Sequence, residues 1–237
     1  QPARPLPPVT ADDLLKGLAN PSRWLQYSGD YTGRRHSPLK QITPDNVHRL
    51  AAQWTFQADG PVRSSVLVVP QGSKHSLLFG DQSGWFYSLE AETGKLLWKK
   101  KVETHDAARL TATPVAYNGN VFVPVASWEE TRSLDYKYPC CTFRGSVAAL
   151  DANTGAVLWK QKVAEWKEGY SLTVAPLLAN GVLVTGCSGA EFGARCFLDG
   201  WNPDTGEHLW RRYTIPAPGE KGGDTWPNNG AYLHGGA

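Results

Sequence analysis

Two cysteines in direct succession, Cys140 and Cys141, carry the most constrained chemistry in this 237-residue chain. Neighbouring Cα atoms sit about 3.8 Å apart, while ordinary disulfides span about 4.4 Å or more, so a bridge between them closes a small, strained ring. Such a ring presents a hard, flat, apolar face suited to packing against a planar cofactor. The alternatives are two buried free thiols, or bonds to the remaining cysteines, Cys187 and Cys196. Shortly after the pair, Arg144 offers a planar fork that suits a carboxylate, although an arginine beside a turn is more often a solvated surface charge. In the run Ser188-Gly189-Ala190-Glu191 a carboxylate sits among small apolar residues. That setting is costly unless Glu191 meets Arg195 or a hard cation such as Ca²⁺. The chain contains no Cys-x-x-Cys-His sequence, so it carries no c-type haem.

The elements that must position these residues show themselves as a repeat. A Thr-Gly turn followed four residues later by Trp occurs at Glu90–Trp98, Asp151–Trp159 and Asn202–Trp210, the tryptophans lying 61 and 51 residues apart. Before the last two copies, apolar runs are broken by Asn118-Gly119 and Asn180-Gly181, the dipeptide that best accepts a two-residue type I′ turn. The second unit therefore reads as four strands, Leu110–Tyr117, Asn120–Ser127, Gly145–Asp151 and Ala156–Val163, joined as a meander. A four-stranded meander repeated in tandem is a propeller blade, and units of roughly 40 to 50 residues leave room for about four. Each tryptophan is expected to lie between blades and cover the Thr-Gly turn of the next one. Ahead of the repeats, residues 1–23 read as an arm in which Thr10 caps a short helix that ends before Pro21. Residues 24–237 read as a partial propeller, with Trp54 expected on an outer strand of another blade.

Composition narrows the class. At 41% hydrophobic and 11% aromatic residues the chain can bury a sizeable core. Its formal charge of +2, without a basic run, argues against nucleic acid as a partner. No run approaches the roughly 18 apolar residues of a membrane span. The chain lacks methionine and opens on a segment, Gln1–Pro8, that reads as a freshly cut end, so an exported protein whose leader was removed is expected. Four cysteines are compatible with an oxidising compartment.

Taken with the blades, Tyr138-Pro139-Cys140-Cys141-Thr142-Phe143-Arg144-Gly145 resembles the quinoprotein alcohol dehydrogenases, including methanol-, ethanol- and polyvinyl-alcohol-oxidising types. So do Trp24–Tyr31 with Ser37-Pro38-Leu39, the stretch Gly169–Pro176, and Ser188–Arg195. The resemblance runs from about Trp24 to Ala237 and implies the N-terminal half of an all-β propeller of about eight blades when complete. It implies the cofactor pyrroloquinoline quinone (PQQ), with the bridged Cys140–Cys141 against one face and Arg144 on a carboxylate. It further implies hydroxyls of Thr173 and Ser188 and backbone N–H groups of Gly189 and Ala190 on the cofactor, with Glu191 as a ligand of Ca²⁺ or a lanthanide.

The implied reaction oxidises an alcohol to an aldehyde or ketone by hydride transfer to PQQ, with the metal as Lewis acid and electrons passing to a cytochrome c-type acceptor in the periplasm. In relatives, the aspartate base, the tryptophan stacked on the other cofactor face and an asparagine metal ligand lie beyond the position of Ala237. No catalytic residue is therefore assigned in this chain, which is expected to be inactive without the remaining half of the propeller. Two departures stand out: a short Thr142-Phe143 spacer before Arg144, and Val62-Arg63-Ser64-Ser65 where the family often has a glutamate. Rival readings are a non-catalytic propeller scaffold of the outer-membrane assembly type, which has no use for vicinal cysteines, and a polymer-oxidising dehydrogenase, favoured by the short spacer.

Overall fold

The computed structural model of the chain describes residues 8–143, 145–163, 170–189, 193–227 and 230–236, and it is all-β apart from short helical turns. The first sheet is the meander β1 (Leu67–Gln71), β2 (Lys74–Gly80), β3 (Trp85–Glu90) and β4 (Leu96–Lys101). The second holds β5 (Ala108–Arg109), β6 (Val115–Tyr117), β7 (Asn120–Ser127), β8 (Ser146–Asp151) and β9 (Val157–Lys162). The third is β10 (Leu177–Ala179), β11 (Val182–Gly186), β12 (Phe197–Trp201) and β13 (His208–Tyr213). All pairings among these strands are antiparallel.

The Asn-Gly turns form with both residues at positive φ, 49° and 78° at Asn118-Gly119 and 48° and 76° at Asn180-Gly181, as a type I′ hairpin requires. The second unit departs from one long first strand. Only 108–109 and 115–117 pair with β7, and the stretch between them leaves the ladder. Pro114 has no N–H to give that ladder, and the Leu110 amide turns instead to the Asp81 carbonyl of the preceding sheet, at 3.1 Å.

Neighbouring sheets meet through one repeated contact. Trp54, Trp98 and Trp159 donate their indole N–H to the carbonyls of Ala91, Ala152 and Pro203 at 2.9, 3.2 and 3.0 Å. In each case the ring lies against the glycine of the next Thr-Gly turn. A Cβ placed on Gly94, Gly155 or Gly206 would come within 2.5, 2.5 and 2.7 Å of Trp54, Trp98 and Trp159. Trp54 thus does for the first sheet what Trp98 and Trp159 do for the next two. The segment 51–58 forms no strand and has no strand partner among the described residues, so the outer strand expected at Trp54 is not formed there and three sheets are described.

The innermost strands β1, β6 and β10 lie side by side, and the N-terminal arm is laid across them. Its helix α1 (Ala11–Lys16) is closed by a capping box between Thr10 and Asp13. Trp24 pairs with Val68 of β1, the Leu25 carbonyl accepts from Ala116 of β6, and the Tyr31 hydroxyl donates to the Leu178 carbonyl of β10. One continuous apolar core, from Leu14 and Leu25 through Phe122 and Leu150 to Phe197, runs through the three sheets.

Candidate cofactor site

Every described candidate residue lies at the end of the sheets opposite the Asn-Gly hairpins. The chain leaves β7 at Ser127, passes through Cys140 and Cys141, and re-enters the sheet at Ser146. Ser188 and Gly189 follow β11, and Thr173 precedes β10.

The cysteine alternatives resolve. Cys140 is bonded to Cys141 across a cis peptide, and Cys187 to Cys196 with Cα atoms 5.6 Å apart. The vicinal pair is half-buried, in a loop held by side chains rather than by a sheet. Its anchor is Glu129, at the start of the single helical turn α2 (Glu129–Arg132) and only 1% exposed. The Glu129 carboxylate accepts the Tyr138 hydroxyl at 3.0 Å and the amides of Thr142 and Phe143 at 3.0 and 2.7 Å. These three donors flank the cysteine pair on both sides. From the facing segment, His105 accepts the Ala107 amide at Nδ1 (3.1 Å), which puts its proton on Nε2 for the Thr142 hydroxyl, 3.0 Å away. The imidazole stacks on Phe143 with ring centroids 5.1 Å apart. Arg132 adds an ion pair with Asp106 at 2.6 Å. Desolvation and the hydrogen bond to Glu129 push the Tyr138 phenol above its ordinary range.

The second group gathers around an isolated bridge. Ser171 and Ser188 exchange both backbone hydrogen bonds, at 2.8 and 3.0 Å. Directly opposed antiparallel residues project to the same face. Neither hydroxyl has a hydrogen-bond partner among the described residues, although both oxygens are buried. The next residue, Gly189, is buried and holds φ at 135°, a conformation side chains disfavour. Thr173, two residues beyond Ser171, is exposed. The two groups touch where the cysteine loop ends: a Cβ on Gly145 would lie 2.6 Å from that of Leu172, between Ser171 and Thr173.

Arg144, Ala190 and Glu191 lie outside the described residues, so their assignments stay expectations. Arg195, considered as a partner for Glu191, donates to the Ile215 carbonyl at 2.8 Å, pairs with Glu220 at 3.2 Å and covers the Tyr213 ring. Ser64, in the departing stretch Val62-Arg63-Ser64-Ser65, turns its hydroxyl to the Gly80 backbone. No cluster of three metal-ligating side chains exists among the described residues. Sequence reasoning missed Glu129, His105 and Ser171. Of these only Ser171 carried a signal, lying within the Gly169–Pro176 stretch.

The half-buried vicinal disulfide and the two hydroxyls without partners among the described residues lie at the same end of the sheets. Residues 24–237 match the β-propeller domain of the PQQ-dependent glucose/ethanol/alcohol dehydrogenases. The chain belongs to this family. Among curated members, quinoprotein alcohol dehydrogenase PedH of Pseudomonas putida is 29% identical over 241 residues, covering 93% of this chain and 38% of PedH. Quinohemoprotein alcohol dehydrogenase ADH IIB of Pseudomonas putida is 32% identical over 200 residues, or 81% and 26% of the two chains. This family member thus spans well under half the length of those relatives. In three dimensions it superposes on quinohemoprotein alcohol dehydrogenase ADHIIG of Pseudomonas putida with a TM-score of 0.76 at 26% identity, over 96% of this chain and 33% of that one. A europium-containing methanol dehydrogenase shares the fold, with a TM-score of 0.73 at 24% identity. No described helix is long and apolar enough to cross a membrane.

Proposed function

We propose that the chain forms one side of the cofactor site of a PQQ-dependent alcohol dehydrogenase. The flat Cys140–Cys141 bridge lies against one face of the PQQ plane, and Ser188, Gly189 and Thr173 meet its carboxylates, with Arg144 and Ala190 assigned to the same task. Glu191 supplies a carboxylate to Ca²⁺ or a lanthanide. When bound, PQQ would supply a hydride acceptor for the alcohol's carbinol carbon, and the metal would supply Lewis acidity. Residues of this chain orient the cofactor and exclude water from one face. The base that takes the alcohol proton, and the second face of the site, belong to the rest of the propeller. Electrons leave to a cytochrome c-type acceptor in the periplasm.

The observation that carries this reading is the Ser188 hydroxyl, buried with no described partner and followed by a glycine at φ 135°. An unsatisfied buried polar group costs about 1–3 kcal/mol, and a ligand carboxylate would repay that cost. Ser188→Ala separates ligand binding from folding. Without cofactor its urea midpoint stays level or rises. In titrations followed by PQQ absorbance and tryptophan fluorescence its Kd rises about 10- to 100-fold, the equivalent of one charge-assisted hydrogen bond. A Ser188→Ala protein that loses stability yet binds PQQ like its parent refutes the assignment.

A further inference from the structure

We propose that Glu129 is a positioning residue of the cofactor site, fixing the plane of the Cys140–Cys141 bridge from beneath. The inference rests on the reading of that bridge as a cofactor face. Glu129 belongs to no motif of the sequence, and the chemistry assigned to the site leaves it unused. Yet it is among the most deeply buried carboxylates of the described residues, at 1% exposed. A carboxylate is expensive to bury and is tolerated where donors surround it. Here the donors are Tyr138, two residues before the cysteine pair, and the amides of Thr142 and Phe143, the two residues after it.

No other side chain of that size meets such a set. A carboxylate has two oxygens that accept hydrogen bonds, so it takes two adjacent backbone N–H groups and a phenol together. Between β7 and β8, no residue near the cysteines joins a sheet. The orientation of the bridge is therefore set by this clamp, aided by His105 on Thr142 and Phe143. Glu129→Gln keeps the shape but replaces one oxygen with an NH₂ group, which then faces a donor.

Three readouts test the assignment in the PQQ-reconstituted protein. Glu129→Gln should release the Cys140–Cys141 thiols to dithiothreitol at least tenfold faster, with the Cys187–Cys196 bridge as the internal reference. It should raise the Kd for PQQ about tenfold and shift the absorbance of the bound cofactor. In a Cys140→Ser/Cys141→Ser background the same substitution should change the Kd by less than twofold, because the plane it positions is gone. Tyr138→Phe removes one donor at the rim, without touching the buried carboxylate, and should move thiol release and amide exchange at Thr142 and Phe143 in the same direction by about threefold. If Glu129→Gln cannot be folded, Tyr138→Phe decides. Unchanged thiol release and exchange, or an equal loss of affinity in both cysteine backgrounds, overturns the assignment. If the serine double variant binds PQQ like its parent, the cofactor-face reading fails and this inference fails with it. If that variant loses affinity while Glu129→Gln keeps it, only the inference fails.

Discussion

Replacing Gly155 with alanine tests the contact that joins the blades. Gly155 sits at φ +72°, with a virtual Cβ 2.5 Å from Cε3 of Trp98 and 2.9 Å from two further ring atoms. Two costs therefore add. Holding a non-glycine residue in the left-handed region costs about 1–2 kcal/mol. Forcing a methyl group into a packed ring contact costs about 1–3 kcal/mol more, since the indole is pinned by its hydrogen bond to Ala152 and has nowhere to retreat. Gly119 supplies the control, because it has φ +78° with nothing within 4 Å of its virtual Cβ. Gly119→Ala should carry the conformational cost alone, about 1–2 kcal/mol, and Gly155→Ala a total of about 2–5 kcal/mol. Equilibrium urea unfolding, followed by tryptophan fluorescence, measures both. In a Trp98→Ala background the penalty of Gly155→Ala should fall to that of Gly119→Ala, as the clash has been removed. Equal destabilisation by the two glycine substitutions in the parent protein, or a Gly155→Ala penalty unaffected by removing Trp98, refutes the docking argument.

Other perturbations read other parts of the structure. Asp81 is 0% exposed and accepts four hydrogen bonds, from the amides of Gly60, Ser83 and Trp85 and the Tyr87 hydroxyl. Asp81→Asn turns an NH₂ group against donors and should cost about 3 kcal/mol in the same unfolding assay, whereas an effect within about 0.5 kcal/mol would contradict this network. Burial pushes the Asp13 carboxyl upward, but hydrogen bonds from the Thr10 amide and hydroxyl and from Arg23 outweigh it and hold the pKa at about 2 instead of 3.8. A depressed folded-state pKa means that this stabilisation is complete above about pH 4 and is lost as pH falls through about 2. Thr10→Ala should raise the Asp13 pKa, measured by NMR titration, and cost about 1 kcal/mol at pH 7; an unmoved Asp13 titration rejects the capping box.

How much was legible in the chain depended on whether a residue's partners were local. Asn118-Gly119 and the Thr-Gly turns state their own backbone conformations, because positive φ is cheap only for such residues. The strands between them were readable for that reason. The interruption before Pro114 was not, since it depends on the Asp81 carbonyl of another sheet as well as on the missing N–H. Within the site, Cys140 and Cys141 announced themselves by type. Glu129 did not, because nothing in the residues around it shows that a loop 9 to 14 residues on will fold back to bury its carboxylate. The single bridge between Ser171 and Ser188 was hidden in the same way, each serine being unremarkable until paired with the other.

That bridge also shows how a repeating fold acquires a specialised site. Counting from the Asn-Gly turns, Ser171 and Ser188 occupy the positions that Arg109 and Ala126 occupy one unit earlier, and those residues form the same pairing between β5 and β7. The backbone is therefore common to both units and the side chains differ. In the second unit the pairing joins a methyl group to an arginine whose guanidinium bonds the Asp106 and Ala108 carbonyls. In the third it sets side by side two hydroxyls that have no partner among the described residues. Folding does not require the serines, since alanine and arginine hold the same geometry, so what they add is an open capacity for hydrogen bonding. The long β7–β8 loop follows the same logic. It leaves the sheet at the end away from the hairpins, and near the cysteines the order it needs comes from a buried carboxylate and from His105 of the facing segment instead of a ladder.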